Sequence, residues 1–247
     1  MPIPSSTPET TTDGGAEGIA AARLQGALMR LTAAAAAAGR DPAEITLVAV
    51  SKTQPAEAVA TLARLGQRDF GENYLQEALP KIGVLSELKL TWHFIGQLQS
   101  NKTRAVAENF DWVHTVDRVK LAERLAAQRP SGAAPLQVCV QVRLENEPGK
   151  GGVSIAELPS VLAAVAASSR LRLRGLMAVP PAEHEPTAQR HWFAQLARLL
   201  ADSRAIHPSM DTLSMGMSGD LESAIAEGST LVRLGTALFG ERLQSDP

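Results

Sequence analysis

The chain has 247 residues, 45% of them hydrophobic, and a formal net charge of −2. That charge excludes electrostatic capture of nucleic acid or of an anionic membrane as the main task. A single cysteine, Cys139, excludes an internal disulfide and points to a reducing compartment, the cytoplasm.

Residues 1–14 have no basic start and no apolar run, so a disordered tail is expected rather than a signal peptide. Residues 18–38 have high helix propensity, and Gly39 suits the position after a helix end. The alanine run at 33–38 is too short and too weakly apolar to span a membrane. Ile45 to Val50 is a continuous β-branched and aliphatic run that breaks at Ser51, Lys52 and Thr53. Such a run reads as a strand buried on both faces, typical of a parallel sheet. A helix over 55–65 follows, closed by Gly66; then a strand and turn over 68–73, a helix over 74–88 and a strand over 90–95. Next come a helix over 101–108, a strand over 112–115 and a helix to 128, with Asp117 as its expected N-cap. Cys139 lies in a strand over 136–144, where it reads as a small buried side chain; a helix over 155–167 follows.

The strand over 170–179 begins with three alternating arginines, expected to form a solvated strand entry. A long helix over 186–204, a strand over 210–214, a helix over 221–227 and a strand over 230–234 complete the chain. Eight strand–helix alternations after one leading helix imply a parallel sheet. The expected architecture is α/β: a single (β/α)8 TIM barrel over 15–247 with an extra N-terminal helix.

In such a barrel, ligands bind where strands exit. Lys52 stands at the exit of the first strand, where partial desolvation makes a lysine amine nucleophilic toward an aldehyde; position alone favours a solvated lysine over that reading. After the seventh strand, Ser214-Met-Gly-Met-Ser-Gly-Asp220 is a small-residue turn opening a helix, and Gly235-Thr236 opens the last helix. Backbone N–H groups at these turns, with the Ser218 hydroxyl, suit a phosphate; tight-turn glycines alone are the competing reading. An amine and a phosphate cradle together fit a phosphorylated aldehyde held as a Schiff base, for which pyridoxal 5′-phosphate is the obvious candidate.

Ala49-Val-Ser-Lys-Thr53, Phe70-Gly-Glu-Asn-Tyr74, His93-Phe-Ile-Gly-Gln-Leu-Gln-Ser-Asn-Lys102, Gly175-Leu-Met-Ala178, Leu213-Ser-Met-Gly-Met-Ser218 and Val232-Arg-Leu-Gly-Thr-Ala-Leu-Phe-Gly240 occur in that order. Together they resemble the pyridoxal phosphate homeostasis protein family, similar to the N-terminal barrel of bacterial alanine racemase. The resemblance implies pyridoxal 5′-phosphate bound covalently to Lys52. It implies that Ser218, the Met217 backbone, Gly235 and Thr236 hold the phosphate, that Arg233 faces the pyridine nitrogen, and that Asn73 lies near the cofactor. Two places depart from its pattern, Gly151 and Gly219, and both are expected to loosen rim loops; the role of Lys150 is left open.

An arginine at the ring nitrogen weakens the ring as an electron sink. Racemisation also needs a second acid/base, and the only tyrosine, Tyr74, follows the Gly-Glu-Asn turn. The expected function is therefore a non-catalytic, monomeric carrier that buffers the cofactor and delivers it to apo-enzymes, contributing to vitamin B6 and amino-acid homeostasis. A small racemase-like enzyme is the alternative, and a sugar-phosphate aldolase using Lys52 a third. The five histidines show no metal-ligand spacing; His93 and His114 are expected to be hydrogen-bonded interior residues. Trp92, Trp112 and Trp192 read as packing residues.

Overall fold

The computed structural model describes residues 13–144 and 151–240. Lys150 and all but the last two residues of the expected tail lie outside that range.

A long helix α1 (Asp13–Ala37) leads in, taking up residues 13 and 14 that the sequence reading gave to the tail. Strands and helices then alternate: β1 (Thr46–Val50), α2 (Ala56–Arg64), β2 (Asp69–Glu72), α3 (Leu75–Val84), β3 (Thr91–Phe94), α4 (Thr103–Asn109), β4 (Trp112–Val116) and α5 (Val119–Gln128). The second half continues with β5 (Leu136–Gln141), α6 (Leu158–Ala166), β6 (Leu171–Met177), α7 (Pro186–Arg204), β7 (Thr212–Ser214), α8 (Leu221–Ala226), β8 (Leu231–Leu234) and α9 (Thr236–Phe239). Each strand pairs in parallel with the next, and β8 pairs with β1, so the sheet closes as an eight-stranded barrel. The expected fold is the observed one.

Closure explains the burial pattern. Alternate residues of a strand face opposite sides of the sheet. Leu47, Ala49, Phe70 and Val232 are buried in the apolar core around the sheet. Thr46, Val50 and Lys52 have the opposite parity and face the interior: Thr46 lines a cavity at the barrel floor, Val50 and Lys52 one at its rim.

Two local expectations need correction. Arg118, not Asp117, precedes α5 as its cap residue, and no side chain caps that helix. The Asp117 carboxylate instead accepts from its neighbour Arg118 at 2.7 Å. Of the three arginines entering β6, Arg170 and Arg172 are exposed as expected, but Arg174 turns onto the floor. It donates to both oxygens of Asp211 at 2.8 and 2.9 Å and lies 4.7 Å above the Trp112 ring. Its charge is neutralised there, so it is not a solvated entry.

Candidate functional site

Lys52 is half-buried at the exit of β1, on a turn tied down on both sides. On one side, Ser51 is fully buried. Its hydroxyl donates to Glu72 Oε1 at 2.7 Å, and its carbonyl accepts from Lys81 Nζ at 2.7 Å. Lys81 also donates to Glu72 Oε1 at 2.8 Å, so a buried ion pair fixes the residue before Lys52. Burial pushes the Glu72 carboxyl above the usual range, against hydrogen bonds from Lys81 and Ser51 that pull it down. On the other side, Thr53 has φ 64°, in the left-handed region that β-branched residues avoid. Its N–H donates to Glu77 Oε2 at 2.7 Å, which helps hold the strained turn in place. The sequence reading missed Glu72, Glu77 and Lys81. The available signal was a buried-strand glutamate followed by a lysine on the next helix.

Across the rim, the turn after β7 is shaped by Gly216, whose φ is 96° and which leaves no room for a side chain: an added Cβ would lie 2.6 Å from that of Ala224. The Gly216 carbonyl accepts from the Arg233 N–H at 3.0 Å, joining this turn to β8. The Met217 N–H donates to Asp220 Oδ1 at 2.6 Å, so the backbone donor expected from Met217 is already engaged. The Ser218 carbonyl accepts from Arg30 Nη2 at 2.9 Å. Arg30 belongs to α1 and also grips Glu222 with two bonds of 2.6 and 2.8 Å. At α9, the first backbone N–H groups have no partner within the helix, which leaves Thr236 a donor toward the rim.

Arg233 is buried. Its Nη1 donates to Ser214 Oγ at 2.7 Å and its Nη2 to the Ala178 carbonyl at 3.1 Å. Burial pushes its guanidinium down to about 10, against Asp220, so it keeps its charge at neutral pH. Asn73 follows β2. Its carbonyl lies so close to Gly96 that no side chain could stand at position 96. The Asn73 Oδ1 atom is buried without a hydrogen-bond partner, an acceptor waiting for a donor.

One cavity of about 460 Å3 is lined by all seven residues singled out in the sequence: Lys52, Asn73, Met217, Ser218, Arg233, Gly235 and Thr236. That size falls within the roughly 300–1,000 Å3 of small-molecule sites. Gly219 lines it too, as an exposed residue. Gly151, expected to loosen a loop, has its carbonyl held by Gln141 Nε2 at 3.1 Å. Tyr74 lines a separate neighbouring cavity with Gln97 and Lys102. His93 and His114 are buried and hydrogen-bonded in the barrel interior, as expected. Among the described residues no group of three His, Cys, Asp or Glu side chains is placed to hold a metal ion. Nor, among them, is any helix long and apolar enough to cross a membrane.

A family model described as alanine racemase, N-terminal domain, matches residues 27–243. A protein of Pseudomonas aeruginosa named pyridoxal phosphate homeostasis protein is 57% identical over 213 residues, covering 86% of this chain and 91% of that protein. One of the same name from Escherichia coli K12 is 53% identical over 216 residues, covering 86% and 92%. PipY of Synechococcus elongatus, solved with PLP bound, superposes with a TM-score of 0.79 at 38% identity, covering 90% of this chain and all of that one. Alanine racemase of Corynebacterium glutamicum shares the fold, with a TM-score of 0.65 at 17% identity over 94% of this chain and 64% of that one. On these matches the chain belongs to the alanine racemase N-terminal-domain family and, within it, to the pyridoxal phosphate homeostasis proteins.

Proposed function

We propose that this chain binds pyridoxal 5′-phosphate as a Schiff base on Lys52, and that it buffers and delivers the cofactor instead of turning over a substrate. The observation that carries the reading is the single cavity into which Lys52, the Ser218 turn, the Gly235–Thr236 turn and Arg233 all converge. The residues fit the group chemically. A half-buried amine suits its aldehyde, two small-residue turns suit its phosphate, and the orphaned Asn73 oxygen suits a hydroxyl or protonated nitrogen. The printed names of the relatives and the PLP-bound PipY structure support the same choice.

When bound, the cofactor supplies an electrophilic carbon and a ring that accepts electron density. Arg233 faces that ring as a charged donor and has no proton to give up near pH 7, which works against a protonated ring nitrogen. Ser218 and Thr236 hold the phosphate through hydroxyl and backbone donors. Lys52 and Arg233 are the only ionisable side chains among the described residues lining the cavity. Among the described residues no second acid/base stands there to complete a racemisation, and Tyr74 lines the other cavity. The carrier is read as a monomer, and an unpaired Cys139 suits the cytoplasm.

Protein loaded with pyridoxal 5′-phosphate and freed of excess should leave L- and D-alanine unchanged, and should restore activity to a pyridoxal-phosphate-dependent apo-enzyme. Isomerisation of either alanine at a rate proportional to protein, abolished in Lys52→Ala, would establish the racemase reading instead.

A further inference from the structure

A line of polar side chains crosses the barrel interior from the cavity wall to the floor. Arg233 Nη1 donates to Ser214 Oγ at 2.7 Å. Ser214 Oγ lies 2.7 Å from His114 Nδ1, His114 Nε2 lies 3.0 Å from His93 Nδ1, and His93 Nε2 lies 3.0 Å from Asp69 Oδ1. The five residues come from five strands. Ser214 closes β7 at the rim and Asp69 opens β2 at the floor. His93, His114, Ser214 and Arg233 are each 5% exposed or less, whereas Asp69 opens onto the floor cavity.

We propose that this line is a one-way chain of hydrogen-bond donation from Arg233 to Asp69, in which Ser214, His114 and His93 are positioning residues that hold the Arg233 guanidinium on the cavity wall. What Arg233 faces there rests on the cofactor reading above; the chain itself does not. Its direction follows from the two ends. A guanidinium has only donors and a carboxylate only acceptors. With one proton on each imidazole, Asp69 requires the His93 proton on Nε2. His93 Nδ1 is then an acceptor, so His114 must carry its proton on Nε2, and His114 Nδ1 must accept from the Ser214 hydroxyl. The Ser214 oxygen is left with lone pairs for Arg233. The reverse order would set the bare His93 Nε2 against the Asp69 carboxylate, two acceptors 3.0 Å apart. In a dry interior an unmade hydrogen bond is costly, so the floor carboxylate sets the arrangement at the rim.

The surroundings leave the chain intact. Arg174, which lines the floor cavity, is committed to Asp211 and Gln137. Glu44 and Asp211 are the other carboxylates lining the floor cavity. Burial above all, with the Arg233 charge beside it, holds the His114 imidazole well below the usual histidine range, in keeping with a single proton on that ring.

The test uses nitrogen NMR of the cofactor-free protein with labelled histidine and arginine. In the wild type, His93 and His114 should both carry their proton on Nε2, and the Arg233 terminal nitrogens should be resolved by hindered rotation. Asp69→Asn offers His93 either an oxygen or an NH2, so both chain directions become allowed and both tautomers should appear at each ring. Ser214→Ala should release the Arg233 guanidinium to average its signals. In loaded protein, Ser214→Ala should speed cofactor release about fivefold, the worth of about one hydrogen bond. A proton on Nδ1 of either ring in the wild type, tautomers unmoved by Asp69→Asn, or an Arg233 unmoved by Ser214→Ala would each overturn the chain. Release unchanged in Ser214→Ala would overturn the positioning of Arg233 toward the cofactor. Wild-type protein that takes up no cofactor would overturn the cofactor reading alone, because the NMR signals decide the chain without it.

Discussion

Lys52 is flanked by a fully buried serine and a strained threonine, and neither neighbour touches the cavity lining. Their part is to fix where the amine points. The pair Glu72–Lys81 holds Ser51 from below, with both side chains almost wholly inside. Removing one member of such a pair leaves an uncompensated buried charge, which costs about 3–5 kcal/mol. Lys81→Met should therefore lower stability by about that much in urea unfolding. Adding Glu72→Gln should restore part of it, and a loss below about 1 kcal/mol would show that the pair is dispensable. Lys52 was legible in the sequence because a parallel strand delivers the residues just after it to the rim whatever else the fold does. Glu72 and Lys81 were not legible as a pair, since their meeting depends on the packing angle of α3. The bond from the Met217 N–H to Asp220 was not legible for a related reason: it depends on how the turn closes on itself.

Among the elements, α1 has a larger part than a leading helix suggests. Arg30 reaches the Ser218 carbonyl, and Arg23 reaches the Phe239 carbonyl at the end of α9 at 2.9 Å. Just past the helix, Arg40 holds the Ile225 and Ser229 carbonyls around the end of α8 at 3.1 and 2.7 Å. The helix thus fastens the Ser218 turn directly, and it holds the far end of α9, whose first residues form the other turn expected to hold phosphate. Arg30→Ala should weaken pyridoxal 5′-phosphate affinity about twofold to twelvefold, the worth of about 0.5–1.5 kcal/mol, in an absorbance titration. Unchanged affinity would mean the Ser218 turn holds its shape unaided. The helices and strands themselves were readable from buried runs, glycine stops and the 186–204 periodicity, which α7 matches end to end. Asp117 failed as a cap because Arg118 adopts the extended cap conformation and draws the carboxylate to itself.

The whole molecule is a closed barrel whose interior carries a line of polar side chains from floor to rim, and its stability should respond to acid accordingly. His114 has its pKa lowered on folding, so the unfolded chain binds a proton that the native state refuses. Stability from this group is full above the ordinary histidine range and is lost as pH falls toward the folded value, at up to about 1.4 kcal/mol per pH unit. Glu222, held low mainly by its hydrogen bond to Arg30, adds a further loss that starts only below the ordinary carboxylate range. Urea unfolding from pH 7 to 5 should show the first slope in wild type and lose it in His114→Gln; an equal slope in both would remove His114 as its source. Strand–helix alternation made the closed barrel legible, but the line from Arg233 to Asp69 was not, because register alone decides which interior side chains meet. The proposed function rests on covalent attachment of the cofactor to Lys52. Borohydride reduction of protein loaded with pyridoxal 5′-phosphate, followed by peptide mass spectrometry, tests it directly. A pyridoxyl group should appear on the peptide bearing Lys52 and be absent from Lys52→Ala; label on another lysine, or on none, would rule out attachment at Lys52.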